Sequence, residues 1–473
     1  MTTRLSDLPQ PMKQGLFPTP PGLFPTPTQL LLLRACLETA AEARAAWEEW
    51  SSLVDLDHVD HESCYLLPLL DKNLRAIGVT GHPWLGRIKG YRRYIWAKNR
   101  RLLARVSQVV QELRPVVGDN LLIIKGTALA CGHYPDPGLR PTRDFDCMVK
   151  PESVPHVLRH FKSSGWKMPR WIDWDRKRYG PDVETQCRVD QIPTSFINHY
   201  SQSILSHDVD EDGWPQLHID LHWYLMPDLC GTIANDTFWN SAVPMRLPDG
   251  SEVRTLQATD LLFHRCLHDI FWPWFSIPST RWIVDAVTLL RDGKPIKWRR
   301  LVDLAEQLRY TLRLGTALSY VASTFPRQIC IPEEVIQFLL NRDYSAEEIG
   351  EYQERMGLPP DGQEYPRSPM IFLHPATFSP SVFTDYQRFR FTFYWRFRVR
   401  SVPLNSSWLQ EIRAFASFLR VRWGLPNLWL VFVIAPFYAT RRIYRKCLRA
   451  GPARSEASPE STSQRKNAVP LPQ

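Results

Sequence analysis

Two aspartates two residues apart, Asp144 and Asp146, lie near the end of the stretch LLIIKGTALACGHYPDPGLRPTRDFDCMV, residues 121–149. In an extended chain residues i and i+2 project to the same face, so these carboxylates point together, with Phe145 on the opposite side. Adjacent carboxylates repel unless a cation lies between them. Divalent magnesium, held by hard oxygen ligands and partly by substrate phosphates, is the usual answer. The same stretch opens on four apolar residues, Leu121 to Ile124, followed by Lys125, Gly126 and Thr127. A glycine there lets backbone N–H groups come close to a triphosphate. Lys125, Arg140 and Arg143 could neutralise phosphate charge, arginine in a two-pronged manner.

A second stretch, LHIDLHW at 217–223, alternates apolar and polar residues and reads as a strand with His218, Asp220 and His222 on one face. If it lies beside the strand of Asp146, Asp220 completes a three-carboxylate cluster. Such a cluster can hold two magnesium ions that clamp the attacking and leaving oxygens of an in-line displacement. Plainer readings stand beside these. Asp-x-Asp alone is a weak signal, Arg143 beside Asp144 can be a structural ion pair, and Lys125 can snorkel from a strand edge. His218 and His222 read as orienting or core residues before they read as ligands. The combination of Gly-Thr, Asp-x-Asp and a later strand aspartate is more specific than its parts.

The elements that must position these groups follow from the patterning. Residues 121–149 read as strand, glycine turn, short helix, Pro/Gly-rich loop and strand. Ahead of them three helical runs are expected. The first is TQLLLLRACLETAAEARAAWEEW, capped by Thr28; the second ends at Gly78; the third covers roughly 82–113. Residues 151–165 read as a helix, followed by Trp-rich strand material to about Asn198 and an acidic loop at 208–213. Residues 256–325 read as helical again. The tandem GLFPTP at 15–20 and 22–27 is too proline-rich for a helix and reads as an arm lying on a neighbouring surface through Phe17 and Phe24. Expected divisions are an arm (1–28), an N-terminal helical region (29–115), a core (116–255), a helical region (256–330), a basic aromatic region (331–452), with 330–380 irregular, and a polar tail (453–473).

At 473 residues, with 44% hydrophobic and 23% charged residues, the chain has a globular composition and room for two or three domains. Its net charge of +9 is concentrated: residues 386–450 hold 13 basic residues against the single acid Glu411. Nine scattered cysteines without a C-x-x-C pair argue against a cysteine zinc site and a disulfide framework, and with the apolar-poor N-terminus point to the cytoplasm. The run LWLVFVIAPFYA at 428–439 is too short for the roughly 20 residues of a membrane span. Together with Arg441, Arg442, Arg445 and Lys446 it reads as a buried segment or a peripheral membrane contact over 428–446. Arginine and aromatic residues alternate at 388–400 as in a half-exposed strand, so nucleic acid is not the expected partner.

The pattern KGTALA…YPDPGLRPTRDFD, with DLHW at 220–223, resembles the uncharacterised nucleotidyltransferases of the polymerase-beta-like superfamily. The resemblance covers roughly residues 50–325. Lys125 and Gly126 match the family's Lys-Gly turn, Arg140 and Pro141 its Arg-Pro, Asp144 and Asp146 its paired acids, and Asp220 to Trp223 its Asp-Leu-His-Trp. Thr127 stands where the wider superfamily often has Ser or Gly. The resemblance implies an α+β fold, with a mixed-sheet core flanked by N- and C-terminal helical regions. It implies transfer of a nucleoside monophosphate from a nucleoside triphosphate, such as ATP, to an acceptor hydroxyl, with pyrophosphate released. Asp144 and Asp146 would bind two Mg2+ ions, Asp220 would complete the catalytic metal site, and Gly126 and Thr127 would hold the β,γ-phosphates. The acceptor, whether small molecule, sugar or protein, is not given by it. A metal-dependent glycosyltransferase and a non-catalytic nucleotide-binding regulator are the competing readings. The former needs neither Gly126 nor Asp220.

Overall fold

The structure is a computed structural model. It describes residues 24–166, 217–226, 235–268, 280–308, 310–342, 416 and 427–433, and the backbone at 2–3, 202–206 and 344–345. Two compact units emerge, Met1–Val54 with Asp60–Pro369, and Asp55–Val59 with Met370–Gln473. All the candidate site residues belong to the first.

A six-stranded mixed sheet lies at its centre. In chain order the strands are β1 (Leu121–Ile123), β2 (Phe145–Val149), β3 (Gln202–Ser206), β4 (His218–His222), β5 (Val243–Arg246) and β6 (Glu252–Thr255). Their spatial order is β3-β4-β2-β1-β6-β5. β2 runs antiparallel to β1, whereas β4 runs parallel to β2 and β6 parallel to β1. β1 and β2 are buried along their whole length, as suits mostly apolar strands at the centre of a sheet; Asp146 is the one charged residue in them.

Helices cover the sheet. α1 (Pro27–Leu37) and α2 (Ala40–Leu53) replace the single first helix expected from the sequence. The cap is Thr26, not Thr28. Its hydroxyl accepts from Gln29 N (3.2 Å) and its own N–H donates to Gln29 Oε1 (3.0 Å), which leaves Pro27 in the first turn where its missing N–H costs nothing. α3 (His61–Cys64) and α4 (Leu67–Ala76) follow, the latter stopped at Gly78 with φ +70°. The 33-residue α5 (Leu85–Val117) leads into β1. α6 (Lys125–Gly132) joins β1 to the loop before β2, and α7 (Val154–Ser163) and α8 (Asp236–Asn240) follow later in the chain. α9 (Ala258–His268), α10 (Arg281–Arg291), α11 (Trp298–Gln307) and α12 (Thr311–Thr324) form the helical region expected over 256–325. Beyond it α13 (Glu333–Leu340) corrects the expectation of irregular chain: Pro332 sits at its cap, outside the hydrogen-bonded turns.

From the second GLFPTP copy, Phe24 is seated in the helical core, 4.5 Å from the Tyr320 ring centre and 6.5 Å from that of Trp282. Phe17, the Trp-rich segment to Asn198, the loop at 208–213, residues 388–400, the basic residues 441–446 and the tail 453–473 lie outside the described residues. In the second unit residues 429–433 are helical, with Trp429, Phe432 and Val433 exposed. Among the described residues no helix is long and apolar enough to cross a membrane, and the described cysteines (36, 64, 131, 147, 266 and 330) are free thiols.

Candidate active site

β2 and β4 pair in parallel register, Phe145 with Ile219, Asp146 with Asp220, Cys147 with Leu221 and Met148 with His222. Phe145, Cys147, Ile219 and Leu221 are fully buried, which sets the register against the core. The alternation then brings Asp146, Asp220 and His222 together on the other face, while His218 at the strand's start is exposed. Met148 is fully buried.

Between β1 and α6 the chain turns at Lys125, whose φ of +48° lies in the left-handed region. For a residue with a Cβ this costs on the order of 1 kcal/mol or more, and such strain persists only where surrounding contacts enforce it. The contacts are here. Lys125 Nζ lies 2.7 Å from Asp146 Oδ1, 3.3 Å from Asp220 Oδ2 and 2.9 Å from His222 Nε2. His222 Nε2 is in turn 3.2 Å from Asp220 Oδ2 and 3.4 Å from Asp146 Oδ1. The Lys125–Asp146 approach is an ion pair rather than an aligned hydrogen bond, and Asp146 Oδ1, Asp220 Oδ1 and His222 Nδ1 are buried without a hydrogen-bond partner among the described residues.

The electrostatics follow from this crowding. Burial alone would lower the Lys125 ammonium, but Asp146 and Asp220 outweigh it and hold the group above its ordinary range. Burial raises both carboxylates, and Lys125 with His222 more than reverses this, so both lie below the ordinary range. Two carboxylates against one ammonium leave a negative charge uncompensated. Accordingly His222 is raised, despite burial and Lys125, by Asp220 and Asp146. Asp144 behaves oppositely. Burial and the neighbouring Asp146 charge push it up to about 6, against the pull of Lys125. Behind the cluster His264 is fully buried and held neutral by burial, with the charges of His268 and Lys125 adding to the effect.

Not every motif residue faces the acids. Arg140 turns to α10, where Nε and Nη2 each bond Asp285 at 2.8 Å, and Arg265 and Tyr134 complete a buried cluster around that carboxylate. A Cβ on Gly126 would lie 3.0 Å from Arg140 Nη1 and 3.2 Å from Thr142 Cγ2, so the glycine admits the packed Arg140 loop. Thr127 is fully buried in the first turn of α6, its hydroxyl without a partner among the described residues. Arg143 is exposed and lies 5.0 Å from the centre of the Tyr65 ring, in close contact with His61. Arg281 lies 4.5 Å from the same ring centre and close enough to Asp144 to act on it electrostatically. Tyr65, Arg143 and Arg281 thus make a cationic rim beside the acids.

A family model described as an uncharacterised nucleotidyltransferase matches residues 48–326, more than half of the chain. The chain belongs to that family. No curated protein matches it. Within the nucleotidyltransferase region, the match runs from α2 into the turn after α12, and so takes in both acid strands, the Arg140–Asp285 pair and Arg281.

Several residues of this nucleotidyltransferase region carry no signal in the sequence. Asn99, in the middle of α5, donates to Pro137 O (2.7 Å) and Arg140 O (2.8 Å) and accepts from Thr142 N (3.3 Å), pinning the loop that delivers Asp144. Asp285 and Arg265 read as ordinary helix residues, and Tyr65 and Arg281 lie far from the motifs in sequence. His222 was visible as part of DLHW, yet only the pairing of β2 with β4 makes it a member of the acid cluster. The ligand atoms of Asp146, Asp220 and His222 all lie within 4.8 Å of one another, so the group could hold a metal ion. Asp146 and Asp220, two buried carboxylates already drawn to a positive charge and each keeping an oxygen without a hydrogen-bond partner among the described residues, fit such an ion.

Proposed function

We propose that this protein is a metal-dependent nucleotidyltransferase that moves a nucleoside monophosphate from a nucleoside triphosphate to an acceptor hydroxyl and releases pyrophosphate. The observation that carries the reading is the register of Asp146 with Asp220 at the end of β1, beside the N-terminus of α6. Anionic phosphates are favoured at such a terminus.

Asp144, Asp146 and Asp220 would hold two Mg2+ ions, with His222 a further donor to one of them. When bound, the ions would offset the triphosphate charge and hold the attacking and leaving oxygens in line. Asp220 accepts the proton of the acceptor hydroxyl. The backbone N–H groups of Gly126 and Thr127 bind the β,γ-phosphates. Arg143 and Arg281, exposed or partly so beside Asp144, bind phosphate oxygens, and Lys125 neutralises charge at the same turn. Arg140, engaged by Asp285 and packed on Gly126, positions the turn rather than the substrate. Catalysis on this reading is placement and charge compensation. A glycosyltransferase using Asp144 and Asp146 alone would have no use for Asp220 in register with Asp146.

The test is incubation with Mg2+ and each labelled nucleoside triphosphate, with cell extract as the source of acceptor. Label transfer lost in Asp144→Ala and Asp220→Ala is expected. Transfer indifferent to both changes, or turnover of nucleotide sugars without pyrophosphate release, would overturn the proposal.

A further inference from the structure

Lys125 is charged, buried and surrounded by the atoms that a divalent ion would use. Its Nζ contacts Asp146 at 2.7 Å, His222 at 2.9 Å and Asp220 at 3.3 Å. Those three side chains are the ones whose donor atoms cluster within 4.8 Å. One ammonium and one metal ion cannot both occupy the centre of so small a group, since like charges at contact distance in a buried site repel strongly. The residue also holds a left-handed φ of +48° to be there, a conformation that lysine adopts only under constraint.

We infer that Lys125 is the resident counter-ion of the metal-free site and is expelled when a divalent cation binds. The inference rests on the proposed metal site. Without a cation, Asp146 and Asp220 would face each other across two strands with no compensating charge, and Lys125 holds them in place. A divalent ion takes over those carboxylates and turns the ammonium out toward the first turn of α6. There the proposed triphosphate can receive it, so metal and nucleotide favour each other's binding through one side chain.

The experiment compares Mn2+ binding, read by electron paramagnetic resonance, in the wild-type chain and in Lys125→Met. The substitution keeps the side-chain length and removes the charge. Metal-free Lys125→Met should melt about 5 °C or more below wild type. It should bind Mn2+ about tenfold more tightly, because no ion pairs need be broken first, and the ion should restore its melting temperature. A fall in melting temperature with unchanged or weaker Mn2+ affinity would overturn the inference, because Lys125 would then be structural only. If the wild-type chain binds no Mn2+, the metal site itself fails. A readout on the unmodified chain covers the case in which the variant does not fold. Acylation of Lys125 by an amine reagent, followed by mass spectrometry, should rise when Mn2+ is added. Acylation unchanged by saturating Mn2+ would sink the inference independently.

Discussion

Asp146 and Asp220 are cross-strand partners, 74 positions apart in the chain and level with one another on adjacent parallel strands. This single pairing turns two sequence motifs into one site. A shift of one residue in either strand would bury one carboxylate among Phe145, Cys147, Ile219 and Leu221, all with no exposed surface. The hydrophobic alternation of the two strands therefore determines the chemistry of the opposite face.

Asp144 is the acid whose charge the fold resists. Its carboxyl is pushed up to about 6 by burial and by Asp146, whereas in the unfolded chain it ionises near pH 4. A group whose folded pKa is raised favours folding less as pH rises, so the Asp144 contribution falls between about pH 4 and pH 6. Asp144→Asn should therefore raise the metal-free stability at pH 7, by about 1–3 kcal/mol, in chemical denaturation. A variant less stable than wild type at that pH would show that the carboxylate is compensated rather than strained.

Asp285 should behave as a structural residue of the opposite kind. Burial would raise it, but Arg140 and Arg265 hold it below the ordinary carboxylate range. Its stabilising contribution is complete above about pH 4 and is lost as pH falls through the lower folded value. Asp285→Asn leaves two buried guanidinium groups short of a partner and should cost about 3–5 kcal/mol at pH 7. It should also flatten the acid limb of the stability profile. Retention of that limb would contradict the assignment.

Gly138 is expected to be intolerant of any side chain. A Cβ there would lie 2.8 Å from Trp96 Cβ and 3.0 Å from Trp96 Cα, so trimming the indole cannot relieve the contact fully. Gly138→Ala should destabilise the loop by about 1–3 kcal/mol and weaken Mn2+ binding by displacing Asp144. Wild-type values for both would show that the loop has more room than its packing on α5 suggests.

Much of the candidate site is legible in the sequence because its residues lie close together along the chain. The acid pair, the Lys-Gly-Thr turn and the HIDLHW strand each announce themselves by composition and alternation. What was not legible is what depends on partners far along the chain. Arg140 looked like a phosphate ligand and is engaged by Asp285, 145 positions away. The break between α1 and α2 has no proline or glycine to mark it, and α13 was hidden because the proline-rich composition of 330–380 read as irregular chain, whereas Pro332 stands only at the helix's edge. Lys125 could be placed at a turn, but its seat among Asp146, Asp220 and His222 needs the strand register.

Phe24 links the second GLFPTP copy to the helical core. It is buried against Trp282 and Tyr320, and Phe24→Ala should cost about 3–5 kcal/mol in equilibrium unfolding. A change below 1 kcal/mol (about the error of such a measurement) would mean that the segment is not seated there in solution.

Whether the Asp146–Asp220 face performs nucleotidyl transfer is read from where the label goes. Nucleoside triphosphate labelled on the α-phosphorus should pass its label to an acceptor in the presence of Mg2+, and the γ-labelled form should not. Asp220→Asn should abolish that transfer while the protein stays folded. Transfer of the γ-label, or α-label transfer that survives Asp220→Asn, would rule out nucleotidyl transfer at this face.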